Sequence, residues 1–443
     1  LLNLKNTYTN QLYNHQSMKK FLIITLLVFA ISVKSQTTKQ SYSFSLQQAI
    51  SHALTNNYTA INAGRDIESA KQKKWETTAA GLPQINAGVD YQNSFVIQRV
   101  VFGDQEIELG SKHSMTARST LSQLIFDGSY IVALQASKTY LKYYENAKQK
   151  TDIEVREMVV NAYGNVLLAE ESIAILERNK SILSKTLSDT QQTFKNGLIE
   201  EENVEQLQIT LSTVNSNLSN NKRLVDISYK MLKIALGLDI NAELNLTDKL
   251  DTLTELNVAA AFSQNDFNAT NNIYYQIAKN FEEQRTLELK LQRSKALPTL
   301  AANVNFGYNA FANQFDFFSR DQKWFNYSNL GVSLNVPIFS SFGRHAKTQQ
   351  AKIALDQAKT QLIETEQKLQ LQYESARSEY EFSIEEYATS KSNLNLAERI
   401  EKKQQIKFTE GLSSSFDFSE AQRQLYTAQQ NYLQSMVNII NKK

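Results

Sequence analysis

The sequence predicts a mixed α and β protein in which very long helices alternate with a few amphipathic strands, and in which one structural plan occurs twice. The 443 residues contain only 13 glycines and 3 prolines. So few breakers imply long uninterrupted elements. Three short motifs also recur in the same order at nearly one offset, which indicates a tandem duplication.

The recurring motifs mark equivalent points in the two copies. They are Leu-Pro at 82–83 and 297–298, Ile-Phe at 125–126 and 338–339, and Phe-x-x-Gly-Leu at 194–198 and 408–412. The offsets are 215, 213 and 214 residues. Any one pairing is compatible with chance, but three in order favour a duplication.

The first 35 residues have the pattern of an export segment. Met18 is followed by two lysines and by an apolar stretch from Phe21 to Val33, and Ser35 suits the last position before a cleavage site. This arrangement predicts a secretory signal peptide that starts at Met18 and is cleaved after Ser35. The apolar stretch is short for a bilayer span.

The rest of the chain is predicted to contain two repeats around a connector. We assign 36–240 to the first repeat, 241–270 to an equatorial connector and 271–443 to the second repeat. Each repeat is expected to hold a helix, two strands and a long helical hairpin. The strands are expected near 83–126 and 298–339.

The predicted strands alternate apolar with small polar residues. The apolar sets are Ile85, Ala87, Val89 and Tyr91; Ala117, Leu121 and Ile125; Leu300, Ala302, Val304 and Phe306; and Leu330, Val332, Leu334, Val336 and Ile338. Period two describes a strand with one apolar face. A sheet on a soluble core is one interpretation. The other is a membrane barrel, which the Asn-, Ser-, Thr- and Gly-rich opposite face and the aromatic residues near the strand ends favour.

The long helices show a coiled-coil period. Apolar residues recur at steps of three and four from Val155 to Leu187 and from Leu355 to Tyr387, which predicts left-handed supercoiling. The stretches 127–196 and 340–409 each hold 70 residues. A continuous helix of that size would be roughly 100 Å long, which is the scale of a rod rather than of a compact domain.

Composition argues against several classes of protein. A formal net charge of +2 without a basic stripe argues against nucleic-acid binding. The absence of cysteine excludes disulfides and thiolate metal sites. Since the sequence shows neither a nucleophile–base pairing nor a phosphate loop, we expect no enzymatic activity and no cofactor.

An ordered set of motifs resembles the TolC outer-membrane factor family over residues 42–441. The motifs are Leu-Gln-Gln-Ala-Ile at 46–50, Leu-Pro-Gln at 82–84, Ser-Gln-Leu-Ile-Phe-Asp at 122–127, Val-Pro-Ile-Phe at 336–339, and Gly-Leu at 197–198 and 411–412. The resemblance implies a long α-helical coiled-coil barrel in the periplasm. It also implies a transmembrane β-barrel that is completed by trimerisation, with four strands from each protomer.

The same resemblance implies an exit duct in the outer membrane. The duct would belong to a tripartite efflux pump or a type I secretion system, with a periplasmic adaptor and an inner-membrane RND or ABC transporter as partners. Four strands cannot close around a lumen alone, although strand counting also permits a dimer. A periplasmic adaptor or a structural coiled-coil envelope protein is the alternative.

The resemblance also assigns candidate sites. Asp417 and Glu420 would narrow the pore, and a spacing of three places both on one helix face. The alternative is that both favour a helix N-terminus through capping and dipole effects. The hairpin tips, where the adaptor would dock, are Phe194, Gly197, Leu198, Phe408, Gly411 and Leu412; the helix–strand corners are Pro83, Pro298 and Pro337.

Overall fold

The computed structural model describes residues 41–259 and 267–443. The predicted signal peptide and its cleavage point lie outside these residues. The N-terminal elements are β1 (Ser41–Phe44), α1 (Leu46–Asn56), α2 (Tyr58–Ala79), β2 (Gln84–Asn93), β3 (Gln98–Phe102), β4 (Gln105–Leu109), β5 (His113–Asp127), α3 (Gly128–Lys195) and α4 (Glu201–Leu236). The later elements are β6 (Glu243–Leu246), α5 (Leu250–Ala259), a 3-10 turn (Ala269–Asn271), α6 (Ile273–Ser294), β7 (Thr299–Ala312), β8 (Trp324–Asn335), α7 (Gly343–Thr409) and α8 (Ser415–Lys442).

Two helices, rather than the single predicted one, precede Pro83. Asn57 adopts an extended backbone between α1 and α2, and its side-chain oxygen accepts hydrogen bonds from the backbone amides of Thr59 and Ala60. Its amide group donates to the carbonyl oxygen of Ala235 at 2.8 Å. The break is therefore stabilised by a cap on α2 and by a link to the end of α4.

The main sheet has four antiparallel strands in the order β2-β5-β7-β8. The rows of paired residues run across it, for example from Ile85 through Leu121 and Val304 to Leu330. Residues in one row lie on the same face of the sheet. The alternating residues of the four strands therefore form two distinct faces.

The structure contains a hairpin that the sequence did not predict. Strands β3 and β4 pair with each other between β2 and β5. One face of this hairpin carries Val100, Phe102, Ile107 and Leu109, and the other carries an ion pair between Arg99 and Glu108. Its strands have five residues each, which is too short for a period-two pattern to identify them.

The helices extend from one end of the sheet. Helices α3 and α7 contain 68 and 67 residues, so each is about 100 Å long. Near the sheet, α2, α3, α6 and α7 pack in that order, and farther away α3 pairs with α4 and α7 with α8. Among the described residues, α3 contains the one helical segment that is long and apolar enough to span a bilayer, and 44% of that segment is buried.

The largest core lies midway along the rod. It joins α1, the middle of α3, the end of α4, β6, the start of α5 and the end of α8. Tyr163 is fully buried there, and its hydroxyl donates to the carbonyl oxygen of Phe44 at 3.0 Å. Strands β1 and β6 pair in parallel beside it. This core ties the N-terminal segment to both helical hairpins.

Candidate functional site

One face of the four-stranded sheet is apolar and uncovered. Ile85, Val89, Leu330, Val332 and Leu334 share this face and are 64–74% exposed. An apolar surface of this extent is rare on a soluble protein and marks an interaction with a membrane or another protein. The interpretation of the sheet as cover for a soluble core is therefore disfavoured.

The opposite face of the sheet is polar and is hydrogen-bonded across the strands. The Thr120 hydroxyl donates to Asn305 at 2.8 Å, and the Asn305 amide donates to Asn329 at 2.9 Å. Arg118 and Asp90 form an ion pair at 3.2 Å on the same face. Side chains that satisfy one another in this way suit a surface that lines a water-filled lumen.

The apolar alternation of β5 contains a shift that the sequence did not reveal. A bulge lies between Leu124 and Phe126. It places Phe126, rather than Ile125, in the row with Leu300 and Leu334. One extra residue reverses the alternation beyond it, so Phe126 joins the apolar row and Ile125 has no partner in β7. In β8, the predicted alternation continues to Ile338, whereas the strand ends at Asn335.

Aromatic residues gather at the end of the sheet farthest from the helices. Phe317, in the loop between β7 and β8, is buried against Met115 and Ala310. The Tyr91 hydroxyl lies 2.8 Å from Nδ1 of His113. Since Met115 and Ala310 lie on the apolar face, this loop covers the outer end of that face.

The three prolines lie at boundaries between helices and strands. Pro83 lies between α2 and β2, Pro298 between α6 and β7, and Pro337 between β8 and α7. Proline suits these places because it lacks an amide hydrogen and disfavours a helical conformation in the preceding residue.

The two hairpin tips have the same backbone geometry. Gly197 and Gly411 both have positive φ, at 76° and 72°. Each following leucine, Leu198 or Leu412, donates its amide hydrogen to the carbonyl oxygen five residues earlier, as in a Schellman motif. Both leucine side chains are more than 70% exposed.

The phenylalanines of the tips differ in their surroundings. The Phe408 ring stacks on Phe418, with centroids 5.6 Å apart. Phe418 is fully buried against Leu183 and Leu207, which joins the two hairpins near their tips. Phe194, which is the equivalent of Phe408, is 37% exposed.

The candidate pore carboxylates both have partners within the chain. Asp417 completes a capping box at the start of α8, where it accepts a hydrogen bond from the Ser414 backbone amide at 3.2 Å. Glu420 forms an ion pair with Arg423. Hydrogen bonding from Arg423 lowers the pKa of Glu420. The capping alternative thus describes Asp417, which also lies on an exposed hairpin tip.

A buried carboxyl, which was not among the residues predicted from the sequence, lies close to these carboxylates. Glu401 on α7 accepts a hydrogen bond from Gln422 on α8, and both are buried. Burial raises the pKa of Glu401, and the bond from Gln422 opposes that shift. Glu401 occupies a position of the α7 repeat that otherwise holds small or apolar residues, and this is the signal that was available in the sequence.

Polar contacts also connect the first hairpin to α8. Asn179 donates to Gln429 at 3.0 Å, and Thr210 donates to Ser419 at 3.1 Å. Asn203, the uncharged equivalent of Asp417, accepts from the backbone amide of Ser415 at 3.1 Å. These polar contacts between packed helices favour one register of the hairpins.

No group of His, Cys, Asp and Glu residues suited to a metal ion occurs within 41–259 and 267–443. The features that remain are an uncovered apolar sheet face, a polar face behind it and long helices with exposed tips.

A family model described as outer membrane efflux protein matches residues 49–238 and 278–439. The chain belongs to the outer membrane efflux protein family. The outer-membrane location and the duct-type function in efflux follow from this membership.

Individual members of the outer membrane efflux protein family are distant in sequence. Outer membrane protein TolC of Vibrio cholerae is 22% identical over 429 residues, which cover 94% of this chain and 91% of TolC. Outer membrane protein TolC of Escherichia coli is also 22% identical and covers 95% of this chain and 86% of TolC.

Solved structures share the fold. The outer membrane protein VceC of Vibrio cholerae aligns with a TM-score of 0.71 at 14% identity, over 90% of this chain and 93% of VceC. The CmeC outer membrane channel of Campylobacter jejuni aligns with a TM-score of 0.69 at 17% identity, over 92% of this chain and 88% of CmeC. The predicted family and the predicted mixed fold with long helices are confirmed.

Proposed function

We propose that the chain is one subunit of a homotrimeric duct that conducts substrates passively across the outer membrane. The supporting observation is the four-stranded sheet, with its uncovered apolar face, its hydrogen-bonded polar face and an outer strand on each side. In lipid, backbone groups at an open sheet edge have no water to bind. Other copies of the chain would satisfy them by adding strands to β2 and β8.

Three copies would form a barrel of twelve strands around a polar lumen. Four strands are too few to close, and the smallest membrane barrels have eight. The number three comes from the family resemblance, and the apolar and polar faces of the sheet support a barrel with lipid outside and water inside. The helices would continue the duct into the periplasm.

We further propose that the tips receive a periplasmic adaptor. The tips at Gly197 and Gly411 share one geometry and lie at the end of the rod farthest from the sheet. Leu198 and Leu412 offer equivalent exposed apolar contacts. The adaptor would connect the duct to an inner-membrane RND or ABC transporter, in an efflux pump or a type I secretion system.

A pair of substitutions on adjacent residues of β8 tests the duct. Val332→Arg places a charge on the apolar face, which costs about 2–4 kcal/mol near mid-bilayer, and should abolish assembly into the outer membrane. Ser333→Arg places the same charge on the polar face and should preserve assembly. Heat-modifiable migration on gels and the mass of the detergent-extracted protein report the result. A wild-type chain that remains a soluble monomer contradicts the proposal, as does equal tolerance of both substitutions.

A further inference from the structure

The corner between β8 and α7 holds two aromatic rings outward on a strained backbone. Ser341 and Phe342 have φ of 48° and 63°, and this left-handed region strains a non-glycine residue. Phe339 and Phe342 are each 75% exposed, and their rings meet edge to face with centroids 6.1 Å apart. Strain of this kind persists where surrounding contacts require it. The described chain leaves these rings largely uncovered.

A second apolar corner lies on the opposite side of the chain. Trp75 near the end of α2 and Leu82 just before β2 are both exposed. Since β2 and β8 are the outer strands of the sheet, and α2 and α7 are the outer helices beside it, the two corners lie on opposite lateral sides. Both lie where helix meets strand, at the same end of the sheet.

The open strand edges indicate what occupies these corners. A second copy that pairs its β2 with β8 of the first continues the antiparallel order of the sheet. It also brings its own α2–β2 corner beside the β8–α7 corner of the first copy. We propose that Phe339 and Phe342 pack against Trp75 and Leu82 of the neighbouring copy. This inference rests on the proposed duct. Each boundary between copies then has an aromatic contact at the level where the barrel meets the helices.

A lipid bilayer is the alternative partner for the exposed corners, and exposed apolar residues farther along α7 argue against it. Ile353 and Leu371 on α7 are also exposed. They lie 11 and 29 residues beyond Phe342, which is roughly 16 and 43 Å along a helix. A bilayer that covers the sheet does not reach that far. Exposed apolar residues therefore occur along this helix beyond the reach of lipid, and a second copy covers them together with the aromatic corner.

Engineered cysteine pairs test the contact directly, because the chain contains no cysteine of its own. Phe342→Cys combined with Leu82→Cys, or with Trp75→Cys, should form disulfides between copies in outer-membrane vesicles. On boiled non-reducing gels, at least one pair should give dimer and trimer bands that a reductant removes. Phe342→Cys with Ile353→Cys is the matched control and should remain monomeric, because both positions lie on one side of the chain.

The outcomes separate this proposal from the duct itself. If both test pairs stay monomeric while the native mass is trimeric, the corner contact is wrong and the duct proposal stands. If no trimer forms in the wild-type chain, both proposals fail.

Brominated phospholipids provide a second measurement on Trp324→Phe, which leaves Trp75 as the one tryptophan. Trp75 fluorescence should resist quenching in this variant. Strong quenching would assign the corner to lipid and overturn the proposal.

Discussion

The charged residues near the start of α8 interact with neighbours that lie one helical turn away. Asp417 stabilises the start of α8, and Glu420 is compensated by Arg423. A trimer would display two carboxylates and one guanidinium per copy at this level. The local field would therefore be weaker than for two rings of uncompensated carboxylates.

Removing the negative charges of Asp417 and Glu420 and removing the positive charge of Arg423 should have opposite effects on ion selectivity. Asp417→Asn with Glu420→Gln removes two negative charges per copy and should lower cation selectivity, since a cluster of like charges attracts counter-ions. Arg423→Gln removes the positive charge and should raise it. The reversal potential of purified protein in planar bilayers under a salt gradient measures both. Asp104→Asn, in the distant turn between β3 and β4, is the control. Unchanged potentials in both variants would exclude these residues from the constriction.

Glu401 predicts a pH dependence of stability near the tips. Because burial raises its folded-state pKa, Glu401 contributes stability that is present below the unfolded pKa and is lost as pH rises through the folded one. Glu401→Gln should raise the thermal midpoint at pH 7.5 and reduce the loss between pH 5 and 7.5. Circular dichroism of the helical signal measures this. Glu366→Gln on the exposed face of α7 should change neither value, and an equal effect of the two substitutions would contradict the argument.

At the level of whole elements, glycines determine where the long helices end and the chain reverses direction. The glycines that follow α3, α4 and α7 have positive φ, and each ends a helix where no other residue fits without strain. They differ in their surroundings. Gly197 has open space around it, whereas a Cβ at Gly237 would lie 2.0 Å from the carbonyl oxygen of Asn56.

This difference predicts unequal costs for the same substitution. Gly197→Ala should cost about 1–2 kcal/mol through backbone strain. Gly237→Ala adds the clash with the α1 backbone and should lower the thermal midpoint by a clearly larger amount. The two φ values, 76° and 74°, make Gly197 a matched control for strain. Equal midpoint shifts would show that the α1 contact does not constrain the end of α4.

At the level of the whole molecule, the fold predicts an elongated particle. Helix α3 alone is about 100 Å long, and sheet strands of 10 to 15 residues, in the tilt expected for the proposed barrel, add roughly 30 Å. A compact domain of 443 residues would have a radius of gyration of about 22 Å. Side views of the detergent-solubilised protein by electron microscopy should show a length of about 130 Å. A globular particle less than about 80 Å long would contradict the structure.

Much of this architecture follows from the sequence because its determinants are local. The scarcity of breakers, the steps of three and four from Val155 to Leu187, and the alternation after Pro83 and Pro298 depend on neighbouring residues. The glycines at 197 and 411 indicate the turns for the same reason. Element types and their repeated order were therefore predictable.

The tertiary structure alone decided the features that depend on distant contacts. The bulge at Ile125 is visible only when β5 is paired with β7, because one unpaired residue reverses the alternation without altering composition. The partners of Asn57 and Glu401 lie 178 and 21 residues away. Burial of a polar side chain is a property of what packs against it, and local periodicity does not contain that information.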